Sequence, residues 1–243
     1  MEQQGFAAWF AEQTPFYLET ITKLLGGVPL TLRLTFWALV FGGAFALVLA
    51  MMSQSKRGPL KALARGYVFV FRGTPLLVQM FLIYYGLSQF PEIRQSFLWP
   101  FLREPYYCAV LALALNTAAY TAEILRGGLQ AVPLGQVEAA RACGMSGALL
   151  YRRVILPIAV RQALPSYATE VILMVRATAL ASIITLMEIT GIAQKINSQT
   201  FRAIEVFICA GAVYLAINFT LSRVFIALER RLTPHLRPMK SHA

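Results

Sequence analysis

"PLTLRLTFWALVFGGAFALVLAMM", Pro29–Met52, decides the fold class. The hydrocarbon core of a bilayer takes roughly 20 mostly apolar helical residues to cross. In lipid every backbone N–H and C=O must find a partner within the protein, which leaves helices or closed barrels. This run is continuous rather than alternating, so it reads as a helix. Four more such runs lie at about 74–90, 106–125, 164–187 and 206–228. The second is short, and the fourth is irregular because it contains Glu170 and Arg176. The expected protein is an all-α integral membrane protein of five transmembrane helices. Residues 1–243 show no internal repeat and no low-complexity linker, so they are expected to form a single transmembrane domain.

Composition agrees. Of the 243 residues 58% are hydrophobic and only 14% charged. The mean hydropathy is +0.60. Soluble domains carry a larger charged share. The net charge of +11 could suggest a nucleic-acid partner, but the position of the charges says otherwise. Residues 53–73 hold Lys56, Arg57, Lys61, Arg65 and Arg72 without an acid. Residues 126–163 hold Arg126, Arg141, Arg152, Arg153 and Arg161 against Glu138. The segment from Arg223 holds five basic residues against Glu229. The remaining connections balance, and the first 28 residues are net −2. Basic segments alternating with neutral ones give an N-terminus outside and a C-terminus in the cytosol. No nucleic acid is needed. No cleavable signal peptide is evident, because Glu2, Glu12 and Glu19 interrupt the first 25 residues. Phe6, Trp9, Phe10, Phe16, Tyr17 and Leu18 are compatible with an amphipathic helix on the outer surface, or with the outer end of the bundle.

Several chemistries are excluded. There is no G-x-x-x-x-G-K-[ST] loop for nucleotide phosphates. There is no Asp for a Ser-His-Asp set, and the only histidines, His235 and His242, lie in the C-terminal tail. Cys108, Cys143 and Cys209 are too scattered for a disulfide framework or a metal site. An enzyme is not expected, and any work must draw on another subunit or an ion gradient.

The basic loop 126–163 is patterned. Pro133 can begin a helix, since its missing N–H would be unpaired there anyway. Glu138, Ala139 and Ala140 continue it. Gly144 permits a break with positive φ, Ser146 can cap a second helix, and Pro157 is expected to mark the return to the bilayer. The spacing E-A-A-x3-G-x9-I-x-L-P resembles the signature of permease subunits of ATP-binding-cassette importers. Here it reads Glu138-Ala139-Ala140, Gly144, Val154 and Leu156-Pro157, with Val in place of Ile. "FRGTPLLVQ" (71–79), "LNTAAYTAEILRGGLQAVPLGQVEAARACGM" (115–145) and "LPSYATEVILMVRATALAS" (164–182) are similar to the polar amino acid subfamily, of histidine/lysine/arginine/ornithine, arginine and octopine/nopaline type. The resemblance implies a type I importer permease in the inner membrane. Glu138, Ala139, Ala140, Gly144, Leu156 and Pro157 would then belong to a coupling helix that docks on a cytosolic ATPase dimer. ATP and Mg would be bound by that partner and no cofactor or metal by this chain. An extracytoplasmic amino acid-binding protein would deliver a polar, basic substrate.

Ionisable groups within a span are costly and mark function by default. Glu170, Met174 and Ala177 share a helix face, and Asn116 and Tyr120 sit one turn apart beside Thr117. Asn116, Thr117, Tyr120, Glu170, Met174 and Thr178 are the candidate substrate residues, with interhelical hydrogen bonding as the competing use of such groups. By the resemblance, Glu170 would meet the substrate's ammonium or guanidinium. Arg176 is expected in an ion pair and Glu123 as an interfacial charge. Ala177 stands where many relatives carry a polar side chain, which points to a heterodimer with a paralogous permease subunit. The competing class is a membrane scaffold or signalling subunit that gates a partner without passing solute. A polar cavity favours transport, and a dry core favours the scaffold.

Overall fold

In a computed structural model of the chain, the structure describes residues 2–232, with side chains from Thr14 onward. The expectations for Phe6, Trp9, Phe10, His235 and His242 fall outside the described side chains. Every regular element among the described residues is helical, so the all-α expectation is borne out.

Helices α1 (Glu2–Leu25) and α2 (Val28–Ser53) open the chain, followed by α3 (Gly58–Gly73) and α4 (Leu76–Phe81). Thr74 breaks α3 from α4. It is extended at φ −114° and ψ 144°, the conformation that a following proline, here Pro75, imposes. The run 74–90 is therefore not one straight helix. After α4 it passes through a π turn, Leu82–Gly86, and a 3-10 turn, Leu87–Gln89. Gly58–Gly73 and Leu76–Gln89 qualify as a crossing only as a broken pair, beside four continuous stretches: Thr14–Ser53, Pro105–Gln130, Gly147–Ile184 and Ala203–Leu232.

Two short helices, α5 (Pro91–Arg94) and α6 (Trp99–Leu102), lead into α7 (Pro105–Gln130). Then come α8 (Leu134–Ala142), α9 (Gly147–Leu150), α10 (Leu156–Ala177), α11 (Ile189–Thr200) and α12 (Ala203–Leu232). Pro157, expected to mark the return to the bilayer, is the second residue of α10, a position where its missing N–H is tolerated. The π turn Tyr151–Ile155 precedes it. Between α10 and α12, where a plain connection is expected, lie a 3-10 turn (Thr178–Ile184) and all of α11.

The packing divides into two compact units: residues 1–38, 76–113 and 174–219, and residues 39–75, 114–173 and 220–243. The first has a core of Leu24, Ile189, Ala193, Ile196, Val206 and Val213. The second packs Ala46, Leu49, Ala64, Ala118 and Ala122. Small residues let helices approach closely where lipid supplies no hydrophobic drive. Gly42 is the sharpest case: a Cβ there would strike Thr117 Cγ2 and lie 2.7 Å from the Ala114 carbonyl. The opposite faces of α2 and α12 leave Phe36, Phe41, Leu47, Leu215 and Phe219 exposed, a surface that suits lipid.

Candidate functional site

The second unit carries two neighbouring arrangements. The first is the turn between α8 and α9. Cys143 is the last half-helical residue of α8, and Gly144 follows at φ +80°. The Gly144 N–H donates to the Arg141 carbonyl at 2.9 Å, and the Met145 N–H to the Ala140 carbonyl at 3.0 Å. This pair of reversed bonds is the Schellman closure of a helix end, which needs a left-handed residue at that position. The E-A-A-x3-G spacing thus has a local cause, with Ala140 and Arg141 supplying the carbonyls that the turn at Gly144 ties off. Ser146 is the N-cap of α9, but its side chain makes no capping bond, contrary to expectation. Gly147, also at positive φ, already turns the backbone there. Glu138, Ala139 and Gly144 are exposed and Ala140 is buried. Leu134 is 77% exposed, and Leu149, Tyr151 and Leu156 are exposed with it, beside an intermediate Pro157.

The second arrangement joins α3, α7 and α10. Tyr67 donates to the Leu115 carbonyl at 2.7 Å, and Asn116 donates through Nδ2 to the Phe71 carbonyl at 3.4 Å. The Arg72 guanidinium lies 5.1 Å from the Tyr120 ring centre. Thr117 donates to Glu170 Oε1 at 2.6 Å. Arg126 grips Glu123 through Nε, 3.0 Å from each carboxylate oxygen, and through Nη2 at 2.6 Å. Beside these groups lies a cavity of about 910 Å3, lined in part by Lys61, Arg65, Arg72, Tyr120, Glu123 and Arg126. A smaller one of about 300 Å3 shares Arg72, Tyr120 and Glu123 and reaches Gln162 and Ser166.

Of the candidate substrate residues, Asn116, Thr117, Tyr120 and Glu170 fall together in this unit. Only Tyr120 lines the two cavities. Glu170 is 6% exposed and held by Thr117. Met174 and Thr178 are buried in the first unit, where the Thr178 hydroxyl donates to the Val175 carbonyl at 2.7 Å. Arg176 is exposed and forms no ion pair among the described residues, so the expected pairing is not found. Glu123, expected as an interfacial charge, is paired with Arg126, and both line the larger cavity. The i,i+3 spacing of the two residues was the available signal.

Residues 42–234 match the family described as binding-protein-dependent transport system inner membrane component. The chain belongs to that family. As such it is a multi-pass permease subunit of the inner membrane. The octopine transport system permease protein OccM of Rhizobium meliloti is 60% identical over 222 residues, 91% of each chain. The histidine/lysine/arginine/ornithine transport system permease protein HisM of Escherichia coli (strain K12) is 41% identical, covering 89% of this chain and 91% of its own. The crystal structure of an amino acid ABC transporter with histidines superposes with a TM-score of 0.78 at 39% identity, covering 88% of this chain and 96% of that one. The fold and importer family inferred from the loop pattern are borne out by these findings.

The permease contains one further buried constellation that the sequence did not disclose. Glu188, fully buried in the first unit, caps α11 by accepting from the Thr190 N–H at 2.9 Å and the Gly191 N–H at 2.8 Å. It also accepts from the Tyr214 hydroxyl at 2.7 Å. Glu is not a favoured cap residue, and Tyr214 lies 26 positions away, so spacing gave no hint.

Proposed function

We propose that this permease subunit passes basic amino acids, or opines derived from them, through an importer driven by a separate ATPase dimer and fed by an extracytoplasmic binding protein. The observation that carries the ATPase partnership is the exposed Schellman turn at Gly144 with bare apolar side chains around it. A loop facing only water has no use for an exposed Leu134. In this reading α8 and α9 dock on the ATPase, and loop 126–163 lies in the cytosol with the C-terminus, leaving the N-terminus outside. The substrate class rests on the relatives transporting octopine and histidine, lysine, arginine or ornithine, and on Glu170 as a buried carboxylate in the second unit. Asn116, Thr117, Tyr120 and Glu170 of the second unit are proposed as contact residues. Tyr120 is the most accessible, and Glu170 must release Thr117 to meet a cation. The subunit is proposed to pair with a paralogue that supplies polar groups where this chain has Ala177.

The test is uptake of radiolabelled arginine and octopine in cells expressing this chain with the ATPase and binding protein, with and without the paralogue. Uptake confined to the full set is expected. Full uptake without the paralogue would remove the heterodimer, and no co-purifying ATPase would remove the coupling role. Exposed Cys143 reports orientation. A membrane-impermeant thiol reagent should reach it in inside-out vesicles and not in intact cells.

A further inference from the structure

The larger cavity is more cationic than a path for basic solutes requires. Helix α3 sends Lys61, Arg65 and Arg72 into its wall, and α7 sends Arg126. At about 100° per residue, Lys61 and Arg65 are roughly 40° apart around α3 and Arg72 about 20° from Arg65. One face of one helix thus carries three cations. Glu123 is the only acid in the wall, and Arg126 already holds it. Lys61 and Arg65 form no ion pair among the described residues. The cavity also takes in Ser53, Gln54 and Gln130 from the ends of α2 and α7, together with Leu49, Val68 and Phe69. Phe69 is 81% exposed, and Leu63 and Val70 on the same helix are exposed too.

We propose that this cavity holds the headgroup of an anionic phospholipid, its acyl chains lying along Phe69 and the neighbouring apolar side chains of α3. The proposal rests on the reading that the basic connections after α2 and α7 face the cytosol, which places the ends of α2 and α7 at the inner leaflet. Basic pockets between helices on that side fit anionic headgroups, and long basic side chains reach the interface while their stems stay in apolar surroundings. A phosphate diester offers oxyanions to Lys61 and Arg65 and hydrocarbon to Phe69. A free cationic amino acid offers one carboxylate and a short stem, and its net positive charge is disfavoured by a wall with four basic side chains and one acid.

The test uses the assembled complex, stripped of lipid and titrated with dioleoylphosphatidylglycerol or dioleoylphosphatidylcholine, with bound lipid counted by native mass spectrometry. The wild type should prefer the anionic lipid. Each basic residue near a headgroup contributes roughly fivefold, so Lys61→Gln with Arg65→Gln should reduce the preference about 25-fold. Lys61→Arg with Arg65→Lys should keep it. Lys56→Gln with Arg57→Gln, an equal loss of charge outside the cavity, should keep it as well. An undiminished preference in the Lys61/Arg65 pair would overturn the site. So would an equal loss in the Lys56/Arg57 control, which would indicate diffuse attraction. Displacement of the lipid by excess inorganic phosphate or by arginine would assign the cavity to a free anion or to the solute path. Cys143 labelling tests the orientation separately, so failure of one reading is distinguishable from failure of the other.

Discussion

Glu188 and Glu170 are the two acidic residues buried among the described residues, one in each unit, and they are held in opposite ways. Glu188 accepts from two backbone N–H groups and the Tyr214 hydroxyl. Backbone donors at a helix start cannot be withdrawn without unwinding the helix, so Glu188 is fixed. Glu170 accepts from the Thr117 hydroxyl, which a χ1 rotation removes. The units differ in charge in the same sense. Among the described residues the first holds seven Lys and Arg against seven Glu, net zero, and the second holds thirteen against four, net +9. The neutral unit therefore keeps its carboxylate as a structural cap. The basic unit holds the cavity, the glycine turn at Gly144 and a carboxylate tied to a hydroxyl that can rotate away.

The contrast is broken most directly at Glu188. Alanine there strands two backbone N–H donors, each costing about 1–3 kcal/mol when buried without a partner, and leaves the Tyr214 hydroxyl with Thr190 Oγ1 at 3.1 Å, against a total stability of about 5–15 kcal/mol for a typical domain. Glu188→Ala should lower the amount of membrane-inserted protein at least about fivefold on immunoblots, and Glu188→Gln should be intermediate. Wild-type abundance for Glu188→Ala would mean that α11 does not need this cap. Next in size is Gly144→Val. A left-handed β-branched residue costs about 1–2 kcal/mol or more, spent in an exposed turn and not in a core. Abundance should stay within about twofold while uptake falls about tenfold or more. An unchanged transport rate would place the coupling joint elsewhere.

These two positions also mark what the sequence disclosed. Gly144 was legible because the Schellman turn is local: the spacing, the glycine and the preceding helix formers lie within seven residues. The apolar spans were legible because lipid demands long uniform runs, and the charge split because loop charges can be counted. Contacts across the chain were not. Thr117 and Glu170 were each singled out, yet their mutual bond spans 53 positions and no local rule pairs them. α11 was hidden because its polar residues, Gln194, Lys195, Asn197 and Ser198, mimic a surface loop while its other face packs against Leu24 and Val206.

Glu170→Gln sharpens the comparison from the other side. The amide keeps the shape and an acceptor for Thr117 but loses the charge. A hydrogen bond to a charged group is worth about 1.5–3 kcal/mol, so the substrate concentration for half-maximal uptake should rise about tenfold or more at normal abundance. An unchanged value would mean that Glu170, like Glu188, serves the protein alone.

The smallest effect expected is also the most discriminating. If Thr117 and the substrate compete for Glu170, removing the hydroxyl should help the substrate. Thr117→Val is suited to this because it keeps the branched shape and the methyl that packs under Gly42. It deletes only the donor to Glu170 Oε1. The empty state then holds a carboxylate short of one partner, while the loaded state, in which the substrate cation supplies that partner, is unchanged. Raising the empty state by the net value of one hydrogen bond, about 0.5–1.5 kcal/mol, should lower the half-maximal concentration by roughly two- to tenfold, with a small loss of thermal stability in the substrate-free complex that saturating substrate restores. The double variant with Glu170→Gln should show no such gain, since the charge that benefits is gone. If Thr117→Val instead weakens uptake and the stability loss persists with substrate bound, Glu170 stays tied to α7 throughout transport, and the difference between the two glutamates is one of location only.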